Sequence, residues 1–256
     1  NGFVTKLRDL DLNGALIDDG AKRAKRWVSN TDFGAQEFLF MNLMEAHSPY
    51  LPPREYRTTG RVDIDSIRGY VDGPGVPEEM ARQAYDDSVA YLSDVYREIY
   101  HELQESFDYI ITVSDHGEML GEHGAWDHLY GLYPELTHIP LVVDGPECTG
   151  TTSKTASILD IHPTVLELAG IGKDADDTSL FDEDTARSYL AEYHGLSPTV
   201  RDSLEADGYT TEPFEKELHG IVAGSGEYGY ETGSEFKTVP EASERRDRLQ
   251  EQLDTL

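Results

Sequence analysis

The chain has 256 residues, 38% of them hydrophobic and 10% aromatic, enough for one large domain or a domain with an appendage and too apolar for wholesale disorder. Fifty acidic residues face 21 basic ones, and the formal charge of −29 repels nucleic-acid phosphates and anionic lipid, excluding both as major partners. A single cysteine, Cys148, excludes an internal disulfide and a cysteine zinc cluster.

The acids are spread through every segment, and lysine is scarce, with 7 Lys against 14 Arg. Dispersed acidity of this kind is expected of a protein adapted to multimolar salt, where the screening length falls to about 3 Å and self-repulsion fades. The melting temperature in about 0.1 M KCl should therefore lie well below that in about 3 M KCl, and equal values by circular dichroism would refute the adaptation. No run of 18 apolar residues and no leader-like start is present, so no membrane span is expected and a cytoplasmic address is the default. The sequence opens on Asn1 in what already reads as mid-domain, so a piece of a longer protein is expected.

In chain order, residues 19–29 predict a short helix after the Asp18–Asp19 start signal, with Ala21, Ala24, Trp27 and Val28 on one side. The apolar run at 37–47 (EFLFMNLMEAH) predicts a central strand that delivers a polar loop. Residues 51–76, rich in Pro and Gly, read as an irregular excursion. A long helix follows from Pro77 to about Leu103, its face made by Met80, Ala84, Ser88, Tyr91, Leu92, Val95, Ile99 and Leu103. Residues 107–117 and 139–145 read as a second and a third strand, flanking a loop rich in Gly, His and aromatics. Residues 155–170 predict a helix near Pro163, with Leu159, Val165, Leu166, Leu168 and Ala169 inward.

After Ser179 the character changes. Strands are expected at 187–194 and 217–224, a Gly-rich turn or hairpin at 224–233, and a solvent-facing helix at 240–254. Residues 1–180 thus form the main body and 181–256 a small sheet-and-helix appendage. Strands alternating with helices specify an α/β fold with a mostly parallel sheet, in which ligands gather beyond the carboxyl ends of the strands. The loops at 45–50 and 114–128 lie at such positions.

Of nine histidines, His116, His123, His128 and His138 fall within 23 positions, beside Asp115, Glu118, Glu122 and Asp127. Imidazole and carboxylate together suit a divalent ion, although no HExxH motif is present. A polar loop whose histidines satisfy hydrogen bonds fits the same residues.

FLFMNLMEAHSPY (38–50), YDDSVAYLSDV (85–95), ITVSDHGEMLGEHGAW (111–126), THIPLVV (137–143) and SILDIHPTVLELAGI (157–171) occur in the order seen in sulfatases. Over roughly residues 20–195 the chain resembles that family of the alkaline phosphatase superfamily. The resemblance implies an alkaline phosphatase-like fold and hydrolysis of a small-molecule sulfate ester. It also implies one divalent cation (Ca²⁺, Mg²⁺, Mn²⁺ or Zn²⁺), held in part by Asp115 and His116. Arylsulfatases usually carry Asn at the second of these positions and the phosphonate hydrolases more often His, and an imidazole there favours Mn²⁺ or Zn²⁺. His47 matches the catalytic histidine that contacts the transferred group. His128 stands where the family generally has an anion-binding lysine; histidine donates equally but titrates near neutrality. His123 is expected to support a ligand rather than to be one. Asp160 and Pro163 resemble a helix start with a structural role.

The family's nucleophile, a Cys or Ser in C/S-x-P-x-R that is oxidised to formylglycine, has no match in these residues. Cys148 is followed by Thr-Gly-Thr-Thr, and Ser197-Pro198-Thr199-Val200-Arg201 has its proline one place early and lies too late. The nucleophile and two further metal-binding aspartates are expected upstream of Asn1, leaving this chain inactive alone and a weak metal binder. Its cut surface invites self-association. Phosphate or phosphonate ester hydrolysis within the superfamily, and a truncated non-catalytic anion-binding protein, are the alternatives.

Overall fold

The computed structural model describes residues 20–64, 66–146, 148–172, 174, 177–182, 187–241 and 243–255, so the Asp18–Asp19 helix start lies outside the described residues. The chain divides into two compact units. The first comprises residues 1–112, 118–127 and 141–148; the second comprises 113–117, 128–140 and 149–256.

The first unit is organised by its long helix. Helix α1 spans Ala21–Val28, α2 Ser66–Asp72 and α3 Glu78–Leu103. Glu78 and Glu79 in the first turn of α3 complement the positive end of the helix dipole. Its buried face runs through Ala81, Ala84, Ser88, Tyr91, Val95, Ile99 and Leu103, a stripe of three-and-four spacing. Met80, expected on that face, is exposed, because Ala81 occupies the inner position. The C-terminal half of the stripe packs on Ala21 and Val28 of α1, with Trp27 turned largely outward. The N-terminal half meets Tyr50, Val62, Ile64 and Trp126. Helix α1 starts on a distant cap: the Ala21 N–H donates to the buried Glu45 carboxylate at 2.7 Å, placing a negative charge at its N-terminus.

Asp87, on α3, is buried and accepts from the Thr58 N–H, the Thr58 hydroxyl and the Gln83 amide. Burial alone would raise its pKa, but these donors outweigh it and hold the carboxyl below its ordinary value. A depressed carboxyl stabilises the fold above the unfolded pKa of about 3.9 and loses that contribution as pH falls through the folded value. Acid unfolding should therefore steepen below about pH 4, and Asp87→Asn should flatten that limb in a pH series of thermal melts.

The strand expected at 37–47 is not formed. Among the described residues no ladder pairs with it, and its side chains alternate: Leu39, Met41 and Leu43 pack inward while Phe38 and Phe40 stand 72% and 79% exposed. Strand β1 (Ile110–Val113) pairs with β4 (Leu141–Asp144), and α3 ties to this pair through Tyr100, whose hydroxyl donates to Asp144. Strands β2 (Met119–Leu120) and β3 (Trp126–Asp127) form an antiparallel hairpin. Gly121 turns it at φ 106°, with Arg82 and the Trp126 ring filling the space where a Cβ would stand. Helix α2, within the stretch expected to be irregular, meets β3 because Gly69 lets the backbone approach Trp126.

The second unit holds α4 (Pro134–Thr137), α5 (Ile161–Leu168), β5 (Tyr189–Tyr193), α6 (Pro198–Ala206), β6 (Leu218–Val222), β7 (Tyr228–Glu231), β8 (Phe236–Val239) and α7 (Ser243–Leu253). Its four strands form an antiparallel meander in the order β5-β6-β7-β8, with Tyr189 opposite Val222 and Tyr228 opposite Val239. The Gly-rich segment thus supplies both the expected turn and β7. The terminal helix corrects its expectation. Leu249 is fully buried against Ile221, Ala223 and Phe236, with Leu253 packed beside it, so two leucines dock an otherwise polar helix on the sheet. Helix α5 forms behind a Ser157–Asp160 capping box, but Leu159, expected inward, is 70% exposed. Together the units give the mixed α/β fold. No helix among the described residues is long and apolar enough to cross a membrane.

Candidate active site

In the second unit, β1 hands the chain to a short polar loop, Ser114–Gly117, and backbone contacts clamp it. Ser114 N–H donates to Pro140 O at 3.3 Å, and Gly117 N–H to Leu136 O at 2.9 Å beside α4. The Ser114 hydroxyl closes the loop internally by donating to the His116 carbonyl at 2.5 Å. Glycine is required at 117 by contact: a Cβ there would stand 1.9 Å from the Glu135 carbonyl oxygen.

This clamp presents Asp115 and His116 outward, the Asp115 side chain 81% exposed. The His116 Nδ1 lies 2.8 Å from the Gly117 carbonyl, an acceptor only, so Nδ1 carries the proton and Nε2 offers its lone pair. That Nε2 lies 3.8 Å from Asp115 Oδ1. Two donors at this separation fit a single divalent cation with metal–ligand distances of about 2.0–2.2 Å. The ring of His128 stacks on that of His116, with centroids 4.2 Å apart and planes inclined by 24°. The structure thus brings together Asp115, His116 and His128 in one unit.

His47 belongs to the first unit. It sits exposed on the turn that follows residues 37–44, its N–H bonded to Met44 O at 3.1 Å. Its Nδ1 stands 2.5 Å from the Ser48 carbonyl. Three residues on, Tyr50 fixes the end of this turn by donating its N–H to Val62 O at 2.7 Å. His123 is exposed in the turn between β2 and β3, at φ 54°. Asp160 is buried at the start of α5 and Pro163 is buried within it.

A further grouping draws on the carboxylates that the sequence sets beside its histidines. In the first unit, the carboxylates of Glu118 and Asp127 come within 4.8 Å of one another, although nine residues separate them in sequence. The β2–β3 hairpin makes this approach, pairing Met119 with Asp127. The hint in the sequence was the turn Gly121–Gly124 midway between two acids.

The sequence pattern of the family described as Sulfatase matches residues 5–171. A 65-residue stretch is 37% identical to arylsulfatase K of Xenopus laevis, covering 25% of this chain and 12% of that protein. A 96-residue stretch is 33% identical to a choline-sulfatase of Rhizobium meliloti (strain 1021), covering 36% of this chain and 19% of the relative. Among solved structures, a phosphonate monoester hydrolase from Silicibacter pomeroyi superimposes with a TM-score of 0.58 at 18% identity, over 86% of this chain and 53% of that one. A 2-O GAG sulfatase gives 0.50 at 17% identity, over 85% and 49%. The chain spans about half the length of these solved structures and under a fifth of the curated relatives. The fold is accordingly the alkaline phosphatase-like α/β fold of sulfatases and phosphonate hydrolases. With its family match covering most of its residues, the chain belongs to the sulfatase family.

Proposed function

We propose that the protein containing this chain is a metal-dependent hydrolase of small-molecule sulfate esters, in which Asp115 and His116 hold a divalent cation and His47 and His128 contact the transferred anion. The observation that carries this reading is the His116 tautomer. A loop with no room to move turns an imidazole lone pair outward, 3.8 Å from an exposed carboxylate oxygen, on a chain of sulfatase family. When bound, the cation supplies Lewis-acid polarisation of the ester oxygens. Asp115 supplies charge and a hard oxygen donor, and the Gly117 carbonyl fixes the direction of the His116 ring. In this reading His47 donates to an anionic oxygen, and His128, whose ring stacks on that of His116, protonates the leaving oxygen. The nucleophile, formylglycine by family resemblance, belongs to sequence outside these residues.

A second reading keeps the site and changes the substrate. His116 in the position where arylsulfatases usually carry Asn favours a phosphonate or phosphodiester hydrolase. One assay tests both: the protein expressed with its upstream reading frame, loaded with Mn²⁺ and supplied with nitrophenyl sulfate or a nitrophenyl phosphonate ester. The sulfate ester should give the higher kcat/KM, and His47→Ala should lower it by about 10²–10³-fold, as for loss of one donor to a developing oxyanion. A faster phosphonate ester transfers the proposal to the second reading. The absence of turnover with either, or full activity in Asp115→Ala, removes both. The 256-residue chain alone should not exceed the buffer rate.

A further inference from the structure

We propose that Ser114 is a positioning residue for the cation site, its hydroxyl setting the direction in which the His116 ring points. The inference deepens the hydrolase reading and rests on it for the ligand role of Asp115 and His116.

Glycine at 117 creates the need that Ser114 meets. The Glu135 carbonyl leaves no space for a Cβ there, so the loop carries at its end the residue with the widest backbone freedom. Such a residue holds no shape by itself, and bonds must hold it. The 116–117 peptide unit is gripped at both ends. Its N–H donates to Leu136 O at 2.9 Å, and its carbonyl accepts from the Ser114 hydroxyl at 2.5 Å. The first bond is backbone to backbone. The second exists only because residue 114 carries a hydroxyl. Ser114 is itself anchored, since its N–H donates to Pro140 O at 3.3 Å, so the hydroxyl is delivered from a fixed point.

The gripped unit controls the imidazole. The His116 N–H donates to Asp115 Oδ1 at 3.1 Å, and the ring donates from Nδ1 to the Gly117 carbonyl at 2.8 Å. Ring and acceptor therefore both hang on the backbone that Ser114 pins. A neutral imidazole in water prefers its proton on Nε2, which would turn a donor rather than a lone pair toward a cation. The bond to the Gly117 carbonyl reverses that preference, and it loses its aim once the 116–117 unit can rotate. The Ser114 hydroxyl carries no charge and bonds the His116 carbonyl, not the ring, so its effect is geometric.

Nitrogen NMR of the ¹⁵N-labelled chain at about pH 8.5, where imidazole is neutral, reads the tautomer directly, with the His116 signals assigned by their loss in His116→Gln. The wild type should carry its proton on Nδ1. Ser114→Ala should move most of it to Nε2, whereas Ser114→Thr, which keeps the hydroxyl, should retain the wild-type pattern. Thr137→Val is the structural control. It removes another hydroxyl-to-carbonyl bond, from Thr137 on α4 to Tyr133 O at 3.3 Å, and should lower the melting temperature without moving the tautomer. In the protein expressed with its upstream reading frame, Ser114→Ala should weaken Mn²⁺ binding by about 10–100-fold in calorimetry, the usual loss when the support of a ligating imidazole is removed. Circular dichroism confirms that each variant is folded; should Ser114→Ala fail to fold, Ser114→Cys, of similar size and a weaker donor, carries the test with a partial shift. Three results overturn the proposal: a wild-type proton on Nε2, an unchanged tautomer in Ser114→Ala, or a shift there that Ser114→Thr or Thr137→Val matches. A wild type that shows the expected tautomer and loses it in Ser114→Ala, yet binds no divalent ion, sinks the ligand reading and leaves the hold of Ser114 on the ring in place.

Discussion

Gly117→Ala should be the most damaging single-methyl change in the polar loop, lowering stability by about 3 kcal/mol and the melting temperature by roughly 6–12 °C. The added Cβ would stand 1.9 Å from the Glu135 carbonyl oxygen and 3.3 Å from the Leu136 Cα, all of it backbone. Backbone cannot rotate aside as a side chain can. The loop must therefore pull away from 135–136, and the Gly117 N–H to Leu136 O bond breaks with it. Gly145→Ala is the control. Its Cβ would meet the Tyr109 ring at 2.2 Å, a side chain rather than backbone, so a smaller cost, about 1–2 kcal/mol, is expected there. Equal losses for the two variants, measured by thermal melts in the same buffer, would show that backbone contact is not the cause. The Gly117→Ala variant should also blunt metal binding at Asp115 and His116, because the carbonyl that sets the His116 tautomer belongs to the moved residue.

The long helix and the Asp115–His116 loop were legible because each rests on local rules. A stripe at three-and-four spacing needs only one apolar partner, and a polar loop after an apolar strand needs only the strand. The 37–47 segment was misread for a physical reason. A continuous apolar run fits a strand buried on both faces, but a strand also needs neighbours to bond with, and those are long-range. In the structure only Leu39, Met41 and Leu43 find cover. Helix α6 and strand β8 were missed because their signals are short. The Ser197 hydroxyl caps α6 ahead of Pro198, a start signal that was read only as a failed nucleophile motif. The terminal helix looked solvent-facing because composition counts apolar residues without asking where they fall, and Leu249 and Leu253, one turn apart, bury its face. The His116–His128 stack was the least accessible feature. Twelve residues separate the two rings, and what brings them together is the clamp of Gly117 on α4, a contact between backbones that leaves no trace in side-chain pattern.

Removing the Asp160 carboxylate should cost the second unit almost as much as crowding Gly117. Asp160 is 2% exposed and accepts from the Tyr189 hydroxyl at 2.8 Å and from the Ser157 N–H at 2.8 Å. It thereby closes the turn at 158–160 that leads into α5 and ties that turn to β5. Hydrogen bonds to a charged acceptor contribute about 1.5–3 kcal/mol each, and donors left buried without a partner add their own desolvation penalty. Asp160→Ala should therefore lower stability by about 3 kcal/mol, and Asp160→Asn, which keeps one acceptor oxygen, by about half of that. Tyr189→Phe removes a single bond and should cost about 1 kcal/mol. The pair is also visible in pH. Burial, then the bond to Asp160, pushes the Tyr189 phenol up to about 12. A raised pKa gives stability that is complete below the unfolded value of about 10 and is lost as pH rises through the folded value, so Tyr189→Phe should remove part of the alkaline loss between the two. If Asp160 and Tyr189 act through their shared bond, the double variant should cost less than the sum of the singles by at least about 0.5 kcal/mol in a denaturant cycle. Strict additivity would mean that the two residues support α5 and β5 separately.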